Sequence, residues 1–290
     1  MFKKIIIHGG AGDRESDVTS FQEYHVELKN IIQISYDYLS TCDDALETAI
    51  FAVSHLEDNP IFNAGTGSRL QMDGKIRMSS AVMDSYNKKF AGVINIEKIK
   101  NPIKVARYLL GYENSVLSGK EATGFAKEHM NMSEYDPITS LRLQEYNNKR
   151  IGKTGTVGAV VIDSKGNICS ATSTGGVGYE IPGRVGDTPT IAGTYASLDI
   201  GVSCTGIGEH IVNSGVAVRI NTRVKDGASS THAINTTISE CDKNSDYVGI
   251  IAIDKFGNIL SKSTSCAQTL YAYHDGVKYD TFYSELGSHN

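Results

Sequence analysis

Two stretches of the chain carry the same alternation of apolar and turn residues. Gly158 to Ile168 and Gly249 to Ile259 each begin with an apolar run that ends on an aspartate, Asp163 or Asp254. A glycine follows three residues later (Gly166, Gly257), then an asparagine and an isoleucine that open a return run. Each stretch reads as a β-hairpin of one design, and apolar residues on both arms predict sheets covered by helices. The triplet Ile5 to Ile7 adds a strand near the start, ahead of Gly9 and Gly10.

Helical periods lie between these strands. Phe21 to Leu39 is amphipathic, and Thr41 to Asp44 reads as the start of a second helix whose face is Leu46, Ala49, Ile50, Val53 and Leu56. Asn101-Pro102 opens a helix that stops at Gly111, and another lies near Gly119 to Met130. Further helices are predicted over Glu209 to Val224 and Ser229 to Cys241. Asn131 to Lys153 is polar and holds no sustained period, so the segment 131–155 is expected to be a mobile linker that ends at Gly155. The whole reads as a layered α/β architecture in a single domain.

Composition narrows the class. At 290 residues, with 40% hydrophobic and 21% charged positions, the chain is of ordinary globular make-up. A net charge of −5 gives no electrostatic case for nucleic acid, and no apolar run approaches the roughly 18 residues of a membrane span. Five scattered cysteines without a C-x-x-C pair fit reduced thiols, and with no secretory signal at the start a cytoplasmic location is expected. More telling are 29 glycines against 5 prolines, gathered in clusters such as Gly9 to Gly12, Gly65 to Gly67, Gly175-Gly176 and Gly206 to Gly208. Flanked by Thr, Ser or Asn, they suggest a site built from loop backbone.

Familiar catalytic strings are missing: no G-x-S-x-G, no P-loop, no H-E-x-x-H, and eight histidines without metal-ligand spacing. What remains is threonine in glycine-rich surroundings: Thr154 and Thr156, Thr172 and Thr174, and Thr205. A threonine hydroxyl needs a base, and no histidine is near in sequence. A cut just before the threonine would supply one, since a freed α-amine titrates at about 7.7–8.0. The residues themselves equally allow these threonines to be ordinary β-formers.

The ordered set of strings is more specific than any one of them. Gly155 to Val160, Ala171 to Gly176, Pro182 to Asp187 and Ser203 to Gly206, with His8 to Gly12 and Pro60 to Gly67 in the first half, resemble the plant-type asparaginase and isoaspartyl aminopeptidase family. The resemblance implies a four-layer αββα sandwich, the N-terminal-nucleophile hydrolase fold. It implies self-cleavage between Gly155 and Thr156 into an α chain (1–155) and a β chain (156–290), assembled as a dimer of αβ units. By the same resemblance Thr156 is the nucleophile and Thr174 tunes its hydroxyl. Thr205 and Gly206 form the oxyanion hole, and Asn63 approaches from the α chain. Arg184 takes the substrate α-carboxylate through its two-pronged fork, Asp187 takes the α-ammonium, and Gly208 lines the substrate site. No cofactor is expected for catalysis. A structural sodium ion is expected at Leu56, Glu57, Asn59, Phe62, Ala64 and Thr66.

The implied reaction is hydrolysis of the side-chain amide of asparagine or the isopeptide bond of β-aspartyl dipeptides, releasing aspartate. Thr156 is preferred to Thr154 because its distances to the hairpin turn and to Thr174 match the family. The chain departs from the family pattern at Ser79-Ser80, and again across Ser265 to Asp275, where no methionine stands. Alternatives on the same fold are a glycosylasparaginase, a threonine endopeptidase or an unprocessed amino-acid-binding protein.

Overall fold

A computed structural model describes residues 2–13, 21–149 and 155–284. Its centre is an eight-stranded sheet in the order β12-β11-β1-β5-β6-β2-β3-β4. These strands are β1 (Lys4–Asp13), β2 (Met78–Asp84), β3 (Lys89–Ile96), β4 (Val116–Ser118), β5 (Val157–Ile162), β6 (Ile168–Thr174), β11 (Ala267–His274) and β12 (Tyr279–Thr281). All neighbours run antiparallel except β3 and β4. A second, four-stranded antiparallel sheet follows the order β10-β9-β8-β7, from β7 (Thr194–Ala196), β8 (Ile200–Gly206), β9 (Val248–Asp254) and β10 (Ile259–Ser263).

The predicted hairpins are β5–β6 and β9–β10, and they lie in facing sheets. Their turns are built alike. Asp163 Oδ1 accepts from the amides of Lys165 and Asn167, while Oδ2 accepts from the Asn167 side chain. Asp254 does the same with Phe256 and Asn258. Gly166 and Gly257 supply the left-handed turn residue, at φ 85° and 75°.

The sheets pack closely because Gly201 on β8 has no side chain: a β-carbon there would stand 2.6 Å from Ile168 and 2.8 Å from Val160. Helices α1 (Gln22–Cys42), α2 (Ala45–Asp58) and α3 (Pro102–Leu109) cover the outer face of the large sheet, with Leu28, Ile32, Val53 and Leu56 in its core. The small sheet buries Val202, Cys204, Ile250 and Ala252 against Ile220, Ile234 and Ile238 of α7 (Val216–Lys225) and α8 (Ser230–Lys243). The result is the expected αββα order of four layers. Among the described residues, no helix is long and apolar enough to cross a membrane.

Three local expectations are corrected. The second helix starts after Asp44, whose side chain accepts from Glu47 N at 2.9 Å; Thr41 still belongs to α1. The helix predicted over Glu209 to Val224 is two helices, α6 (Gly208–Ser214) and α7, broken where Gly215 turns left-handed at φ 56°. Beyond α4 (Gly119–Met130), the stretch read as lacking periodic structure contains α5 (Ser140–Asn147). Buried Arg142 docks α5 by donating to the carbonyls of Gly67 at 2.6 Å and Ile61 at 3.2 Å, and Glu145 bridges Arg142 and Arg69. Within the linker, residues 150–154, with Gly152 and Thr154, lie outside the described residues.

Candidate active site

Strand register brings the two central threonines together. Val157 pairs with Ser173, so Thr156, one residue ahead of β5, faces Thr174 at the end of β6. The Thr156 hydroxyl donates to Thr174 Oγ1 at 3.2 Å, and Thr156 is only 8% exposed. Thr174 Oγ1 also accepts from the Gly176 amide at 3.2 Å, which orients it. Ser79, at the first departure from the family pattern, pairs with Thr174 from the other side.

The peptide ahead of Thr156 is tightly confined. Gly155 adopts φ 145°, in the glycine-favouring region, and a β-carbon on it would run into the Asn63 side chain. Asn63 is itself fixed: its Nδ2 donates to Gly176 O at 2.5 Å and its Oδ1 accepts from Arg69 N at 2.9 Å. Behind the nucleophile, His8 Nε2 shares a hydrogen bond with Ser203 Oγ at 2.9 Å, and Ser203 with Thr172 at 2.8 Å. Complete burial drives the His8 imidazole down to about 3, against a contact with the Thr156 backbone, so it is neutral. The scattered histidines gave no sign of this placement.

A cavity of about 20 Å³ is lined by Gly155, Thr156 and Thr174 together with Arg184, Asp187, Gly206 and Gly208. Asp187 is buried, its Oδ2 has no hydrogen-bond partner, and burial raises its carboxyl to about 7 despite the pull of Arg184. Arg184 differs from expectation. Its Nε and Nη2 are taken by Glu209 at 2.7 and 2.6 Å, so an internal carboxylate occupies the fork expected for the substrate. Gly208 makes room for this pair, since a β-carbon there would stand 2.9 Å from Arg184 Nη2.

Thr205 and Asn63 do not line the cavity. Thr205 is fully buried with an unpartnered hydroxyl, and by strand alternation it shares a face of β8 with Ser203, the face turned to the large sheet. Gly206 adopts φ 141° with the Tyr247 carbonyl where a β-carbon would go.

The loop expected to hold a cation follows α2. The carbonyls of Pro60 and Phe62 crowd Gly67, and that of Glu57 crowds Gly65, leaving no room for side chains at either glycine. Glu57 accepts from Ser173 Oγ at 2.6 Å and Ile103 N at 3.1 Å through its side chain, which burial raises to about 8. Its backbone carbonyl takes Thr66 N at 2.7 Å. The carbonyls of Leu56 and Asn59 likewise accept from Asn59 N at 3.4 Å and Phe62 N at 3.2 Å, so these three expected ligands keep only a second lone pair for an ion. Among the described residues, no cluster of three or more His, Cys, Asp or Glu could hold a metal.

Known proteins are similar to this chain along most of its length. The asparaginase family model matches residues 1–153 and 144–283. An isoaspartyl peptidase/L-asparaginase of Synechocystis sp. is 39% identical, covering 96% of this chain and 89% of its own. A plant-type L-asparaginase of Pyrococcus horikoshii is 37% identical, covering 94% and 97%. An isoaspartyl peptidase/L-asparaginase of Macaca fascicularis is 34% identical over 94% and 93%. These matches span both the threonine pair and the other residues that line the cavity with it, and the chain belongs to the asparaginase family.

Proposed function

We propose that this protein hydrolyses the side-chain amide of L-asparagine and the isopeptide bond of β-aspartyl dipeptides, releasing L-aspartate. One observation carries the reading. The cavity that Thr156 lines is also lined by a buried carboxyl (Asp187), one of whose oxygens has no partner, and by a guanidinium (Arg184). That pair of opposite charges complements the α-ammonium and α-carboxylate of an amino acid and leaves its side-chain carbonyl towards the threonine. The relatives named isoaspartyl peptidase/L-asparaginase support the same substrates.

The chemistry requires that Thr156 first be freed. Its hydroxyl attacks the Gly155 carbonyl, the C–N bond breaks, and water hydrolyses the resulting ester, leaving Thr156 with an α-amine. Gly155 lines the cavity in the unbroken chain, so cleavage both creates the base and clears space for substrate. The amine then takes the hydroxyl proton as Oγ1 attacks the substrate carbonyl. The Gly206 amide, on the cavity lining, steadies the oxyanion, and the unpartnered Thr205 hydroxyl next to it would join once cleavage opens the site. Collapse expels ammonia or the departing amino acid with that proton, and water releases aspartate from the ester. The neutral, buried His8 braces the strand behind the nucleophile and takes no proton in this scheme.

Carbonyls of Leu56, Glu57, Asn59, Phe62, Ala64 and Thr66 would hold a monovalent cation, which would stiffen the loop carrying Asn63. Assembly of two αβ units follows from the family resemblance and is read from the mass in solution. The function is tested by assaying ammonia or amino-acid release from L-asparagine, β-aspartyl-leucine and a glycosylasparagine. Turnover of the first two supports the reading; turnover of the glycosylasparagine alone would replace it.

A further inference from the structure

In the unbroken chain the nucleophile cavity is only about 20 Å³, with Gly155 in its lining, and cleavage is what opens it to the aspartyl half. A second cavity of about 720 Å³ adjoins it and shares Val177 and Arg184 with it. Besides Val177, its walls are Met72, Tyr179, Ile181, Pro182 and Ile207. With the aspartyl half held at Arg184 and Asp187, the adjoining space for the side chain of the released residue is this second cavity, which Arg184 also lines.

The second cavity is held in shape by its own backbone. Tyr179 takes a left-handed φ of 51° between glycines 178 and 183, themselves at 83° and 87°. Tyr179 N donates to Leu70 O at 2.7 Å and Met72 N to Glu180 O at 2.9 Å, tying the loop to the segment before β2. Glu180 folds back to accept from Val177 N at 3.0 Å. Glu180 and Glu209 put two carboxylates on the lining and Arg184 one cation, already engaged by Glu209.

Resting on the functional reading above, we propose that this cavity is the subsite for the leaving residue of β-aspartyl dipeptides and selects apolar side chains over acidic ones. Leucine, isoleucine or phenylalanine gains by covering Ile181 and Ile207, whereas a glutamate side chain meets Glu180 and Glu209. L-Asparagine releases only ammonia and makes no use of it.

The test compares kcat/KM of the self-processed enzyme for L-asparagine, β-aspartyl-glycine, β-aspartyl-leucine and β-aspartyl-glutamate. The leucine dipeptide is expected to exceed the glycine dipeptide about tenfold (~1.4 kcal/mol), with the glutamate dipeptide below both. Ile181 is 71% exposed, so Ile181→Asp should fold. It should lower the ratio of β-aspartyl-leucine to L-asparagine turnover by about tenfold (~1.4 kcal/mol). Equal rates for the glycine, leucine and glutamate dipeptides would overturn the inference and leave the functional reading intact. So would an Ile181→Asp ratio that holds while the mass in solution falls, which would assign this surface to a second copy of the chain. Loss of all turnover of L-asparagine and β-aspartyl-glycine in the unmutated enzyme would overturn the functional reading, and this inference with it.

Discussion

Glu209 grips Arg184 through both carboxylate oxygens, one on Nε at 2.7 Å and one on Nη2 at 2.6 Å. The remaining tooth of the guanidinium, Nη1, lies beside Gly186: a β-carbon there would be 3.4 Å from it. Glu209 therefore acts as a positioning residue, holding the plane of Arg184 while Nη1 meets the substrate carboxylate. Glu209→Gln should raise KM for L-asparagine by about fivefold, as expected for a half-exposed pair worth ~1 kcal/mol, with a smaller change in kcat. Steady-state kinetics check this, and a fall confined to kcat would count against it.

Asp187 sets an acid limb. Burial raises its carboxyl to about 7, and only the ionised form can take an α-ammonium. kcat/KM should therefore decline as pH falls through about 7. Once substrate is bound, the ammonium favours the carboxylate, so the limb in kcat should lie at lower pH. Asp187→Asn should lose most of the affinity, and the acid limb that remains should be that of the Thr156 amine alone. A kcat/KM flat from pH 8 to pH 5 would contradict the assignment.

His8 makes a separable prediction about stability. It takes a proton at about 3 in the folded protein and near its ordinary 6.5 when unfolded, so the unfolded chain binds more protons between those values. Stability from this group is fully present above 6.5 and is lost as pH falls towards 3, by up to ~1.4 kcal/mol per pH unit. Urea midpoints of the parent and His8→Gln, measured from pH 7 to pH 4, should converge as pH drops. A constant gap would show that His8 is not the neutral buried group described here.

Gly155 is the residue at which cleavage should be most sensitive to a single methyl group. Alanine there would take a left-handed backbone and press on Asn63, a strain of ~1–3 kcal/mol. Gly155→Ala should split at least about tenfold more slowly on a denaturing gel. Maturation at the parent rate would mean that Asn63 does not confine the scissile peptide.

Much of this was legible because it is written in local pattern. The paired Asp-x-x-Gly-Asn turns carry their own hydrogen bonds, and the hairpins followed from them. Helix α5 was missed because its pattern is inverted: Leu141 and Leu143 are exposed, while the residue it buries is Arg142. A glycine within a helical period is usually tolerated, so Gly215 did not announce the break between α6 and α7. At the site, family strings named the threonines, Arg184 and Asp187. The Arg184–Glu209 pair, separated by strands β7 and β8, exists only through tertiary packing and has no sequence signal of its own.

The central claim is that Thr156 obtains its base from its own freed amine. Intact mass measured on purified parent protein and on Thr156→Ala, alongside L-asparaginase activity, tests it most directly. The parent should yield two fragments, residues 1–155 and 156–290, with activity rising as they accumulate, while Thr156→Ala remains one inactive chain. A parent chain that turns over L-asparagine with the bond between Gly155 and Thr156 unbroken would contradict the account.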